Sequence, residues 1–172
     1  MKRRGSYPAN REHFARLVPF AQRIIAVCKE NGMRPVIYGS FAHFAYTGDK
    51  GMNVNDVDIY LDEKDYPKLL RLLKKEKIKA EYNPKWHTLV IKKGDLRVEV
   101  DSIDFWYKPL RGKSLPRRFE KVDFYGNLVD MISLTNLERL YSVAYARTDD
   151  NKEKIALKMR HLESFLGRKL RR

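Results

Sequence analysis

Asp56 and Asp58 stand two positions apart in the run Asp56-Val57-Asp58-Ile59-Tyr60-Leu61. Polar and apolar residues alternate there as in a half-buried strand, so both carboxylates point to one face and Val57 and Ile59 to the other. Two like charges held that close are costly unless a cation neutralises them. A divalent cation with oxygen ligands does so, and Mg2+ (or Mn2+) bridging to the phosphates of a nucleotide is the usual case. Two such ions ~3.5–4 Å apart can activate a nucleophile and stabilise a departing pyrophosphate. Sixteen positions before Asp56 lies Ser40, in Val36-Ile37-Tyr38-Gly39-Ser40. This segment reads as a short buried strand that delivers Gly39 and Ser40 to a helix start. Free backbone N–H groups and the helix dipole favour an anion there. Gly39 permits a tight turn and close approach of a phosphate, and Ser40 adds a hydroxyl. A third carboxylate is expected from a neighbouring strand, and Arg97-Val98-Glu99-Val100-Asp101 offers both Glu99 and Asp101 on one face. Each piece alone has an ordinary reading, as a turn or a solvated strand face. Their order and placement together point to metal-assisted chemistry on phosphates.

The elements that must position these residues are legible around them. Asn10 is a fair N-cap for a first helix, with Phe14, Leu17, Val18, Ala21, Ile24, Ile25 and Cys28 at helical spacing up to Asn31-Gly32. Pro19 inside that pattern predicts a kink or a restart. A short helical stretch follows Gly39-Ser40, and 48–55 reads as a loop. Tyr66 to Lys79 has an amphipathic helical pattern, with Pro67 in its first turn. His87 to Ile91 and Leu96 to Ile103 read as a hairpin, as do Val122 to Tyr125 and Leu128 to Ile132 around Gly126-Asn127. Lys108 to Arg118 reads as a loop. Two helices follow, Asn136 to about Ala146 and Asn151 to about Leu166, with Gly167 as a C-cap. The expected fold class is α/β (α+β): a mixed sheet flanked by helices, with a C-terminal helical pair. The expected organisation is a catalytic core over 1–135, with 136–172 packed on it as helices in one compact domain.

Composition sets the surroundings. The 172 residues carry 36 Lys and Arg against 22 Asp and Glu, a formal charge of +14, which suits a polyanionic partner. An alternative is a charged surface serving solubility. Six basic residues and one acid occupy 108–121, and eight basic residues and two acids occupy the last 22 positions, so the excess is clustered. No run of ~18 apolar residues occurs, which excludes a membrane-spanning helix. No apolar segment follows the basic amino terminus, so no secretory signal is expected. The single cysteine, Cys28, excludes an internal disulfide framework and a cysteine zinc site, and a cytoplasmic location is expected.

Gly39-Ser40, the segment after it and Asp56-Val57-Asp58-Ile59 resemble the nucleotidyltransferase superfamily signature, hG[GS] followed by [DE]h[DE]h. The likeness is to its minimal, AbiEii-like single-domain members and extends over most of the chain. Leu96-Arg97-Val98-Glu99-Val100 is similar to the strand that brings the family's third carboxylate. Val129 to Leu140 is similar to the family's entry into its terminal helices. The resemblance implies Asp56, Asp58 and Glu99 as metal ligands, with Asp101 as the competing third carboxylate. It implies Ser40 at the triphosphate, and Lys154 and Lys158, one helical turn apart, near phosphates; an exposed basic face is the alternative for these lysines. The implied reaction moves an NMP from an NTP to a hydroxyl acceptor, with RNA, especially a tRNA end, preferred on charge. A toxin-type protein or small-molecule transferase, or a non-catalytic nucleotide- or RNA-binding module derived from a transferase, are the alternatives. The sequence departs from many relatives where a basic and a hydroxyl residue precede the first aspartate: Met52 and Val54 stand there, with Lys50 or Asn55 as substitutes.

Other residues carry weaker signals. His13, His43, His87 and His161 show no metal-ligand spacing. His43 lies one turn after Ser40 and reads as a core histidine or a nucleotide contact, and His87 beside Trp86 as a candidate for lining the site. Tyr7, Trp106, Tyr107 and Tyr125 sit near basic residues as stacking or core aromatics. Cys28 reads as core.

Overall fold

The computed structural model describes residues 7–102, 105, 119–147 and 151–170. In chain order the elements are α1 (Arg11–Glu30), β1 (Val36–Tyr38), α2 (Gly39–Thr47), β2 (Val57–Leu61), a 3-10 turn (Glu63–Asp65), α3 (Tyr66–Lys75), β3 (Lys79–Asn83), β4 (Thr88–Lys93), β5 (Leu96–Ser102), β6 (Phe119–Phe124), β7 (Asn127–Ile132), α4 (Leu134–Arg147) and α5 (Lys152–Leu166). Among the described residues the strands form one seven-stranded sheet in the order β3-β4-β5-β2-β1-β7-β6. It is mixed: β2 runs parallel to β5 and β1 parallel to β7, and the other neighbours are antiparallel. The expected α/β class with a mixed sheet and a terminal helical pair is therefore the class observed.

Register explains the two faces of the sheet. Tyr38 pairs with Asp58, Asp58 with Glu99 and Glu99 with Val90, so these four share one face across β1, β2, β5 and β4. Ile37, Ile59, Val100 and Leu89 form the adjacent row on the other face and are all fully buried. α1 packs against β5 and α3, so it closes the apolar side. α4 and α5 pack against each other and both against α2. α1 presents Phe14, Leu17, Ala21, Ile24 and Cys28 inward, with the Phe14 ring stacked on Phe41 of α2 at 6.0 Å. Burial pushes the Cys28 thiol up to about 12, in keeping with a core residue.

Several sequence expectations are corrected here. α1 runs unbroken through Pro19. Asn10 does not cap it with its side chain; it clamps the loop before β2 instead, with its amide nitrogen donating to the Val54 carbonyl at 2.9 Å and its amide oxygen accepting from the Val54 N–H at 3.0 Å. α3 stops at Lys75, not Lys79. The Ile78 N–H turns back to the Leu73 carbonyl at 2.9 Å while Lys77 adopts φ 57°, and the chain then enters β3. Nothing announced β3, because Lys79-Ala80-Glu81-Tyr82-Asn83 is a charged, mostly exposed edge strand without an apolar stripe. The β6–β7 hairpin turns at Tyr125-Gly126, both with positive φ (49° and 92°), the geometry of a type I′ turn, and the Asp123 carboxylate accepts the Gly126 N–H at 2.6 Å. The basic loop expected over Lys108 to Arg118 lies outside the described residues.

Ile59 is the centre of the buried row, so Ile59→Ala is expected to lower unfolding free energy by ~2–5 kcal/mol. Urea denaturation checks this; a change under ~1 kcal/mol would mean that the row is not the core.

Candidate active site

The site is built at the junction of β1 and α2. Gly39 has φ +65°, and a Cβ placed on it would lie 1.8 Å from Oδ2 of Asp58, so backbone conformation and space both demand glycine. The chain turns around that carboxylate, and the Ser40 N–H donates to the same oxygen at 3.3 Å. Asp56 precedes β2, and Glu99 lies beside Asp58 on the neighbouring parallel strand. From the opposite side α5 brings Lys158, whose ammonium donates to Ser40 Oγ at 2.7 Å and lies 5.9 Å from the ring centroid of Tyr141 in α4. The Tyr141 hydroxyl donates to the Gly39 carbonyl at 3.5 Å and meets His43 Nδ1 at 3.2 Å. A cleft of about 410 Å3 opens over this face, with Gly39, Asp58, Trp86, Arg97, Glu99, Lys154 and Lys158 among its lining residues.

The electrostatics follow from crowding. Burial and the nearby Asp56 push the Asp58 carboxyl up to about 7, against the pull of Lys158. Burial also raises Glu99, with Arg97 opposing it. Burial lowers Lys158, countered by Asp58. The protein thus holds carboxylates together at a cost, and their all-oxygen donor set is the kind that binds a hard divalent cation. Among the described residues no three His, Cys, Asp or Glu side chains are grouped closely enough to hold a metal ion as they stand. The Glu99 carboxylate is paired with Arg97, and Asp58 Oδ2 takes the Ser40 amide.

The structure thus brings Gly39, Asp58, Glu99, Lys154 and Lys158 to one cleft, with the buried Ser40 beside it, bonded to Lys158; Asp56 stands before β2 and is not among the lining residues. Asp101 also borders the cleft but is 4% exposed and accepts hydrogen bonds from the Tyr38 and Thr88 hydroxyls. Met52 and Val54 are core residues, and Asn55 faces Asn10, so these positions serve packing and loop anchoring. His43 is fully buried beneath Tyr141, and burial holds it down at about 4. His87 is tied to Glu63 by a 2.7 Å contact and does not line the cleft, whereas its neighbour Trp86 does. Tyr7 packs edge-on against Phe14 and Tyr125 lies near the same ring, both away from the cleft; Trp106 and Tyr107 lie outside the described residues. Sequence reasoning missed Trp86, Arg97 and Tyr141 as cleft residues. Arg97 carried a signal, standing two positions before Glu99 on a strand; Trp86 carried none while β3 was unrecognised.

No protein-family profile and no curated protein sequence matches the chain. Solved structures do. ANT(2'')-Ia, in complex with adenylyl-2''-tobramycin, superposes with a TM-score of 0.61 at 16% identity, over 87% of this chain and 89% of that one. TM1012 of Thermotoga maritima, a proposed nucleotidyltransferase, gives 0.57 at 18% identity over 96% and 99%. The lincosamide antibiotic adenylyltransferase LnuA, lincomycin-bound, gives 0.54 at 12% identity over 92% and 99%. The chain therefore has a nucleotidyltransferase-like fold. The likeness is one of fold and does not single out the AbiEii-like branch.

Two outcomes are expected of the site itself. Gly39→Ala places a methyl against the Asp58 carboxylate in a left-handed backbone, and is expected to lose ~1–3 kcal/mol from the backbone alone, and more from the clash; urea denaturation measures it. The folded Asp58 titrates near 7 against an ordinary 3.8, so the folded state binds more protons between those values. Stability of the metal-free protein accordingly falls as pH rises through that window. Asp58→Asn is expected to flatten that fall, and equal pH slopes for both proteins would rule it out.

Proposed function

We propose that this protein is a divalent-metal-dependent nucleotidyltransferase that moves an NMP unit from an NTP to a hydroxyl acceptor and releases pyrophosphate. The observation that carries this reading is the interlock at Gly39. The N-terminal turn of an anion-favouring helix and the carboxylate of Asp58 occupy adjoining positions too tight for one methyl group. An anion and a cation ligand are thereby placed within one molecular contact, which is what a metal–triphosphate complex needs. The fold likeness to two proteins named for, or bound to the product of, adenylyl chemistry supports it.

In this reading Asp56, Asp58 and Glu99 would hold Mg2+ or Mn2+, which would supply charge neutralisation for the transfer. The amide groups at the start of α2, the Ser40 hydroxyl, Lys158 and Lys154 hold the triphosphate. The acceptor oxygen forms a bond to the α-phosphorus while the bond from that phosphorus to the α–β bridging oxygen breaks. Glu99 takes the acceptor's proton, and the electron pair leaves with pyrophosphate against Ser40 and Lys158. Asp101, already hydrogen-bonded by Tyr38 and Thr88, serves to position β5 beside β2 rather than to hold metal. Residues 1–135 form the catalytic core and 136–172 the helices that close it with Tyr141, Lys154 and Lys158. The charge of +14 and the cations at the cleft favour RNA, such as a tRNA end, as the acceptor. The lone buried Cys28 suits a reducing compartment, and we assign the protein to the cytoplasm.

The test is transfer of label from α-labelled NTPs with Mg2+ or Mn2+, offered total RNA and, separately, small hydroxyl compounds. Wild type is expected to label an acceptor, and Asp58→Asn and Glu99→Gln to label it at least ~100-fold more slowly. No transfer to any acceptor, together with nucleotide binding indifferent to metal, would establish a non-catalytic binding module instead.

A further inference from the structure

Trp86 lines the cleft and is 39% exposed, on the turn from β3 to β4. An exposed indole on a mobile loop would mean little, but this turn is bonded from every side. The His87 carbonyl accepts from the Tyr66 hydroxyl at 2.9 Å and the Ser102 N–H at 3.1 Å, and the His87 ring meets Glu63 at 2.7 Å and stacks on Phe105 at 4.8 Å. The Thr88 hydroxyl, which donates to Asp101, lies 3.1 Å from the Trp86 carbonyl, and the Asn83 side chain accepts the Lys85 N–H at 3.0 Å. His87 itself sits at φ 51°, a costly conformation for a non-glycine residue that these bonds hold. The fold therefore holds the backbone of a residue whose large aromatic surface stands in water, beside a charged cleft, where burial would have been the cheaper use of it.

Its position says what it faces. The β1 end of the sheet carries Gly39 and Ser40; passing β2 and β5 to β4 carries one across Asp58 and then Glu99, ~14 Å in three strand spacings. In an in-line displacement the leaving pyrophosphate and the attacking hydroxyl lie on opposite sides of the α-phosphorus. With the phosphates against Ser40 and Lys158, the attacking group enters from the side of Glu99, Arg97 and Trp86. Cations stand near Trp86: Arg97 lines the cleft, and the Lys85 ammonium lies 5.1 Å from the Trp86 ring centroid. The carboxylates among the cleft's lining residues are Asp58, Glu99 and the buried Asp101.

We infer that the β3–β4 turn is a nucleobase platform for the acceptor, on which Trp86 stacks the terminal base of a single-stranded RNA while Arg97 and Lys85 meet its phosphate. Stacking of a base on an aromatic residue beside cations is the common way in which single strands are held. This rests on the transferase reading, because that reading sets which side the acceptor enters.

The chain has two tryptophans, so Trp106→Phe leaves Trp86 as the sole indole reporter. In that background, with Asp58→Asn added to prevent turnover, a short single-stranded RNA with a free 3′-hydroxyl is expected to quench the emission saturably. By anisotropy of a labelled RNA, Trp86→Ala is expected to bind about tenfold or more weakly, and Trp86→Phe to keep most of the affinity. Lys85→Gln should lower the salt dependence by about one phosphate contact. RNA affinity unchanged in Trp86→Ala overturns the platform. So does quenching by a non-hydrolysable ATP analogue without any by RNA, which would put the donor's base there. Label transfer to a non-nucleic acceptor without RNA quenching keeps the transferase and rejects the platform. RNA quenching without transfer to any acceptor keeps Trp86 as a nucleic-acid contact and rejects the transferase.

Discussion

The Asp58 carboxylate against the backbone of Gly39 is the contact on which the rest of the architecture depends. It requires β1 and β2 to be antiparallel neighbours in the register that sets Tyr38 opposite Asp58. It requires a positive φ at residue 39, which sends the chain out of the sheet and into α2 with the Ser40 amide directed at the same carboxylate. It also requires that a buried like-charge group be tolerated, and the fold meets that demand from the far end of the chain. Lys158 arrives on α5 and bonds to Ser40, next to the carboxylate it partly neutralises. The last helix is thus part of the electrostatics of the first turn, which is why it packs on α2.

The cleft has a sidedness that charge alone could not give. Its acids sit on the sheet and its amines on the terminal helix, so a metal–phosphate complex would be gripped from both sides. Arg97 breaks that pattern by standing on the sheet, where it holds Glu99. The overall excess of +14 therefore does not describe the centre of the molecule, which is acidic at its floor and basic along its walls.

Much of this was legible. Alternation along 57–61 and 97–101 placed Asp58, Glu99 and Asp101 on strand faces, whereas Asp56, expected on the same strand, stands just before it; Gly39-Ser40 after an apolar triplet marked the turn. Boundaries and edges were harder. β3 is an edge strand whose charges prevent aggregation and also erase the period-two signal. α3 ends early because its last carbonyls are taken by a left-handed turn at Lys77, a residue with no glycine-like signature. Asn10 has the chemistry of a helix cap, yet a loop 44 residues away competes for the same amide and takes it. Trp86 and His87 are adjacent in sequence, and only the fold decides which faces the cleft and which faces Glu63.

The sequence by itself determined the local pattern: two carboxylates two positions apart, a glycine at the strand-to-helix turn, the surplus of base and the class of fold. These are local properties, set by side-chain type and by the periods of strand and helix. Tertiary structure decided which carboxylate faces which. Parallel pairing of β2 with β5 sets Glu99 beside Asp58 and leaves Asp101 one row away, tied to Tyr38 and Thr88. It also decided that Lys158, 118 positions from Ser40, bonds to it. Strand register and helix docking are fixed by burial of the Ile37, Ile59 and Val100 row and of the α4–α5 pair, and no local pattern contains them.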